Sequence, residues 1–204
     1  MLKYLLLFTL PFFIISCTDD NSGLPYLGQK TNVGDSMVYH TIRPFEHIDQ
    51  DSNLVNNERL SDYIYVTDFF FTSCPSICPT VMKEMLKIYD EFKDEPSIKL
   101  VSFTLDPKRD TPAKLKSYAN LIEVDTEKWI FVHGQKEEIY DLAEDFFVTA
   151  MEDEEAPGGV AHSGQIVLID KKGHIRSFSD GTDASMTPRM IKDIHKLVNA
   201  YKGF

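Results

Sequence analysis

With 204 residues, 43% of them hydrophobic, the chain is long enough for one domain with a well-filled core and too short for two generous ones. It carries 32 acidic against 21 basic residues, a net charge of -11, and no run of Lys or Arg forms a phosphate-binding stripe. That balance argues against nucleic acid as a partner.

The opening MLKYLLLFTLPFFIISC has one basic residue, Lys3, followed by an apolar stretch broken by Thr9 and Pro11 and ending in Ser16 and Cys17. Residues 1–16 read as an export signal that stands outside the fold. The segment resembles a bacterial lipoprotein signal, which implies that Cys17 becomes the lipidated N-terminus. The alternative is an uncleaved anchor helix, which wants roughly 20 apolar residues where this stretch supplies about 14. Either way the folded part is exported and membrane-anchored, facing the periplasm if the source is Gram-negative. With Cys17 assigned to lipid, the domain keeps Cys74 and Cys78, in a compartment where dithiols oxidise unless they are used or kept reduced.

Residues 17–38 are rich in Asp, Asn, Ser and Gly and read as a lipidated cysteine with a flexible tether, leaving 39–204 as the folded domain. Two short extended pieces with a turn at Asp49–Ser52 come first. IYVTDFFF (64–71) is a continuous apolar run, the mark of a buried central strand, and PTVMKEMLKIYDEFK (79–93) has helical spacing. A second buried strand (98–106), a helix opened by Thr111 and Pro112 (111–122), a third strand (129–134) and a third helix (136–147) follow. A hairpin (164–178) and a closing helix (187–202) complete an α/β layered domain with a mixed sheet. In such sheets the chemistry gathers at the carboxyl ends of parallel strands, and the first of these points at Cys74.

FFFTSCPSICPT (69–80) concentrates the candidate chemistry. A helix starting near Pro75 or Ser76 places both sulfurs at the positive end of its dipole, which favours thiolate. As a redox motif the spacing is one residue longer than C-x-x-C. Thiolates four residues apart can close a disulfide or hold one ion, and with no further cysteine a four-sulfur zinc site is impossible within one chain. Soft thiolates with one imidazole suit copper in either oxidation state. Six histidines could supply that imidazole. Chemistry alone favours His162, after a Gly-rich loop, over His133 at a strand end, with a solvated turn histidine as the plain alternative.

FFFTSCPSICPT, VSFTLDPKRDTPAKLKSYA, FVHGQKEEIYDLAEDFFV and HSGQIVLIDKKGHI, in that order, resemble the Sco/SenC family of copper-binding cytochrome c oxidase assembly proteins. The resemblance runs from about Asp49 to Leu197. It implies a thioredoxin-like fold with an inserted hairpin and one copper, Cu(I) or Cu(II), held by Cys74, Cys78 and His162. It further implies a metallochaperone whose partner is the copper-binding subunit of a respiratory oxidase. Family members are described both as copper donors and as reductants of that subunit's cysteines, and the dithiol would need a thiol reductant. Ser73 stands where many members have His, and Ser76 where Asp is frequent, so a charge that would favour a cation is missing.

The competing function is a thiol:disulfide oxidoreductase in which Cys74 attacks and Cys78 resolves. Against it, Val160 and Ala161 stand where thioredoxin-fold redox enzymes place a proline. A structural disulfide in a binding module is the third reading. Two acids are of lower rank as candidates for orienting the site. Asp68 lies inside an apolar strand, where it must be paired, protonated or wet, and Asp106 follows a strand end in a Pro-containing turn.

Overall fold

The computed structural model describes residues 22–203. A hairpin of β1 (Lys30–Val33) and β2 (Ser36–Tyr39) precedes β3 (Glu46–Asp49), β4 (Leu54–Asn56) and a single-turn α1 (Asn57–Leu60). Then come β5 (Ile64–Phe70), α2 (Cys78–Phe92), β6 (Ile98–Thr104), α3 (Pro112–Leu121), β7 (Trp129–His133) and α4 (Lys136–Asp145). A second hairpin, β8 (Ala150–Glu152) with β9 (Val160–His162), is followed by β10 (Gln165–Ile169), β11 (Ile175–Asp180) and α5 (Thr187–Lys202).

Seven strands form one mixed sheet in the order β11-β10-β5-β6-β7-β3-β4, parallel from β5 through β6 to β7 and antiparallel outside them. This is the α/β layering and mixed sheet expected from the alternation of apolar runs and helical periods. Every residue of β5 is buried, because the strand is central and both of its faces are covered. Its alternating side chains serve two cores. Phe69 stacks on Phe103 and meets Phe146, beyond α4, while Phe70 meets Tyr118 of α3 and Phe131 of β7. Tyr89 of α2 lies against Trp129 on the Phe131 side, and α5 packs on α2 and β11.

Of the tether expected over 17–38, residues 22–27 are built into the body, while the β1–β2 hairpin that follows pairs with itself and is exposed. The buried guanidinium of Arg176 donates to Ser22 Oγ, to the carbonyls of Leu24 and Pro25, and to Asp170 Oδ2 at 2.9 Å, and Tyr26 covers its face. The Leu27 amide adds a bond to the Ile175 carbonyl, so this polar segment is ordered by a buried cation over a hundred residues away in sequence. Ile169 and Ile175 are paired beside Tyr65, near the start of β5. The strap therefore meets the sheet at the end opposite Phe70 and the cysteines. The signal segment and Cys17 lie outside the described residues.

Candidate metal centre

The chain leaves β5 at Phe70 and turns through Thr72 to Cys74, whose amide bonds to the Phe71 carbonyl at 3.2 Å. This loop is held from below by Asp110, fully buried, whose carboxylate accepts from the Thr72 amide (2.9 Å), the Thr72 hydroxyl (2.5 Å) and the Thr104 hydroxyl (2.7 Å). Helix α2 begins at Cys78 rather than at Pro75 or Ser76, with Ile77 as a cap that supplies no side-chain hydrogen bond. Cys78 is thus the first helical residue and Cys74 stands a full loop before it.

His162 arrives from a different direction. It ends β9, in the β8–β9 hairpin that pairs only with itself and not with the main sheet. The hairpin tip rests on the cysteine loop at Gly158, where φ is +88° and an added Cβ would come 2.7 Å from Phe71 Cε2 and 3.4 Å from Pro75 Cδ. The His162 ring meets Phe71 edge-on at 5.8 Å. Its Nδ1 lies 3.2 Å from the Ser163 carbonyl, which can only accept, so the proton belongs on Nδ1. Nε2 then presents a lone pair to Cys78 Sγ, 3.4 Å away.

The sulfurs of Cys74 and Cys78 and a nitrogen of His162 lie within 4.8 Å of one another, the one such group of three among the described residues. Donors bound at about 2.0–2.3 Å to one ion lie roughly 3.5–4.5 Å apart, so small side-chain rotations bring the three onto a shared ion. Both cysteines are free thiols, 9% and 6% exposed, so two soft donors and an imidazole face each other in a covered site. The donor set fits copper. His133, the other histidine weighed on chemistry, is turned away, its Nδ1 3.0 Å from the Asp110 carbonyl.

The expectation that both thiols are activated holds for one of them. Burial pushes the Cys74 thiol up, but hydrogen bonds from Cys78, from the Ser76 amide and hydroxyl and from the Cys78 amide outweigh it, leaving Cys74 below the ordinary thiol value. Burial, reinforced by the hydrogen bond to Cys74, drives Cys78 well above that value despite its place at a helix N-terminus. Ser76 brings no charge, yet its hydroxyl stands 3.6 Å from Cys74 Sγ. Burial also lowers the His162 pKa, partly offset by the Ser163 carbonyl, which keeps the ring neutral and able to ligate.

Asp68 is 1% exposed and neither wet nor ion-paired. Its Oδ1 accepts from the Ser102 hydroxyl at 2.5 Å, and Ser102 in turn accepts from Trp129 Nε1 at 2.8 Å. Oδ2 has no partner among the described residues, and burial raises the carboxyl to about 7. Its charge, when present, opposes the ionisation of Cys78. Asp106 does not reach the cysteines or His162 through any described hydrogen bond. It pairs with Arg109, whose Nη2 donates to the Gly158 carbonyl at 2.8 Å. The residue of LDPKRDTP that grips the cysteine loop is Asp110, which sequence reasoning passed over. Its signal was present, a second acid immediately before the Thr111–Pro112 helix start, but its inward direction was not.

A mixed sheet with a dithiol at the mouth of a helix beyond a central parallel strand defines a thioredoxin-like protein, here with a histidine from a separate hairpin beside the dithiol. The model of the SCO1/SenC family matches residues 34–199, and the chain belongs to that family. It is similar to a SCO1/SenC family lipoprotein of Bacillus anthracis, with 28% identity and a TM-score of 0.70 over 77% of this chain and 94% of that one. It is similar to BsSco, described as a member of the Sco family of cytochrome c oxidase assembly proteins with a disulfide switch (26%, TM-score 0.69, 78% and 94%). Arabidopsis thaliana ScoI, solved with copper bound, is 27% identical with a TM-score of 0.63 over 76% and 98% of the two chains.

Proposed function

We propose that this protein is a copper-binding assembly factor that delivers copper to, or prepares the cysteines of, the copper centre of a cytochrome c oxidase subunit. The observation that carries the reading is the convergence of Cys74, Cys78 and His162 from a loop, a helix start and a separate hairpin onto one point. The solved relatives described with bound copper and with oxidase assembly support it. Copper is the cargo, one per chain. Cys74, below the ordinary thiol value, is the first to offer a thiolate, and Cys78 must give up its proton on binding, so uptake releases protons. The neutral imidazole of His162 completes the set.

The anchor belongs to the same reading. Lipid on Cys17 would hold the exported domain to the bilayer, as the description of the Bacillus anthracis relative as a lipoprotein supports. No described helix is long and apolar enough to cross a membrane. Because the strap enters at the pole opposite the cysteines, a short link to lipid leaves the metal group facing away from the bilayer, at least the length of β5, about 20 Å, from the strap. Tethering would also raise the effective concentration of the site near a membrane-bound client.

The test is copper stoichiometry and the Cu(II) absorption spectrum of the reduced protein in detergent, with and without His162→Ala. One copper per chain with intense thiolate-to-copper bands, lost or strongly altered in the variant, supports the reading. Unchanged Cu(II) affinity in the variant removes the three-donor site. The unequal pair of thiols favours a second reading, thiol:disulfide exchange with Cys74 attacking, and that reading gains if a folded, reduced protein takes up no copper while it reduces an oxidised client.

A further inference from the structure

We propose that Arg109 and Asp110 form a two-sided brace that sets the separation of the two halves of the metal site, with Arg109 as the positioning residue for the hairpin that carries His162. The proposal rests on the three-donor reading of Cys74, Cys78 and His162.

The two halves share no strand pairing. The sulfurs belong to the loop after β5 and the start of α2, while the imidazole belongs to a hairpin hydrogen-bonded to itself. The segment between β6 and α3 touches both. The amides of Arg109 and Asp110 bond back to the Asp106 carbonyl at 3.1 and 2.9 Å, closing a tight turn. Neighbouring side chains on such a turn point apart. Asp110 goes inward to the Thr72 amide and hydroxyl, two residues before Cys74, and Arg109 goes outward to the Gly158 carbonyl at the hairpin tip. Asp106 orients the guanidinium through Nε.

At its base the hairpin is tied to the sheet, with Gly164 accepting from the Gly181 amide and β8 lying against α4, whereas its tip has fewer supports. Val160 is buried, Gly158 rests on Phe71 and Pro75, and Lys136 pairs with an exposed Glu152, an interaction weak in solvent. Between the turn and the hairpin lies a cleft of about 440 Å³ lined by Leu105, Asp106, Arg109, Lys136, Glu152 and Gly158. Here the hairpin is bridged to the turn by a side chain instead of being packed against it. Removing the bridge leaves the sulfurs held through Asp110 and loosens the hairpin tip, and with it the placement of the imidazole relative to them. Two thiolates alone are the donors that suit Cu(I), whereas Cu(II) gains from the imidazole. Loss of Arg109 therefore acts on one oxidation state more than the other.

Arg109→Ala and Arg109→Lys are compared with wild type as the full chain in detergent. In the metal-free reduced proteins, hydrogen exchange is read over 150–163 and over β5 and β6. Cu(II) and Cu(I) affinities and the Cu(II) paramagnetic resonance spectrum are measured separately. The expected result for Arg109→Ala is hairpin exchange faster by about tenfold with β5 and β6 unchanged. Cu(II) affinity should fall about tenfold with an altered spectrum, while Cu(I) affinity stays within about twofold. Lys, which restores one donor, should fall between. Unchanged hairpin exchange overturns the proposal, as does equal loss of Cu(I) and Cu(II) binding with faster exchange everywhere, which would mark general destabilisation. If wild type takes up no copper, the copper reading fails, and the exchange comparison still decides whether Arg109 braces the hairpin.

Discussion

Asp68 shows how far one buried group can depart from its residue type. An isolated carboxylate in the middle of a sheet would be costly, and a single hydroxyl from Ser102 does not compensate it, so the group stays protonated to about pH 7. Its ordinary value is 3.8, so between about pH 4 and 7 the native state holds a proton that the unfolded chain has released. Stability contributed by this site is therefore greatest at low pH and declines as pH rises through that window. Asp68→Asn should remove the decline and leave the metal-free, reduced protein more stable at pH 8, by a few kcal/mol at most at ~1.4 kcal/mol per pKa unit. Urea unfolding midpoints from pH 5 to 8 for both proteins check this, and parallel pH profiles would contradict it.

At the scale of elements, the site is a meeting of loops whose positions are set by one buried acid. Asp110 accepts three hydrogen bonds in a fully buried position and joins the segment before α3 to the turn after β5. Asp110→Ala would strand the Thr72 amide and two hydroxyls, and a destabilisation of about 2–4 kcal/mol is expected from unsatisfied buried donors. Thermal or denaturant unfolding measures it. The same change should loosen the cysteine loop, so Cys78 becomes more accessible to an alkylating reagent than in wild type. The sequence reading found the helices and strands around this junction to within a residue or two. It bracketed the start of α2, with helical spacing from 79 and a start near Pro75 or Ser76 for the dipole argument, because Pro75 and Pro79 both suit a first helical turn. In the structure the loop that Asp110 holds at Thr72 runs on to Ile77, and Cys78 opens the helix.

For the whole molecule, the Asp170–Arg176 pair is the element that joins the N-terminal strap to the sheet. Both side chains are buried, and the guanidinium holds the strap through Ser22, Leu24 and Pro25. Arg176→Met removes the cation and leaves Asp170 buried without it, a change expected to cost about 3–5 kcal/mol. It should also release residues 22–39, read as new protease cuts there and as loss of protection at the Leu27 amide. Retained protection at Leu27 would mean that the strap is held by its apolar contacts instead. The Cys74, Cys78 and His162 cluster lies at the other pole, so these residues should keep their arrangement as long as the variant folds.

The sequence by itself determined the layered class, the central strand and the dithiol, because period and local composition act over a few residues and are written in order along the chain. IYVTDFFF, apolar and β-branched, reads as a buried strand, and two cysteines four apart just after it are placed near its end. It also favoured His162 over His133, with a solvated turn histidine still open, and the order of four motifs resembles a family, which implies His162 as the ligand. Tertiary structure decided the rest. It turned His133 toward the Asp110 carbonyl and brought His162 to 3.4 Å from Cys78 across 84 positions of sequence. It separated two like thiols into one below and one far above the ordinary value, since burial and donated hydrogen bonds depend on what packs nearby. It made Asp110 rather than Asp106 the support of the cysteine loop, and it folded a polar segment that reads as a tether onto a buried arginine. Each of these depends on contacts between segments distant in the chain, which no local pattern encodes.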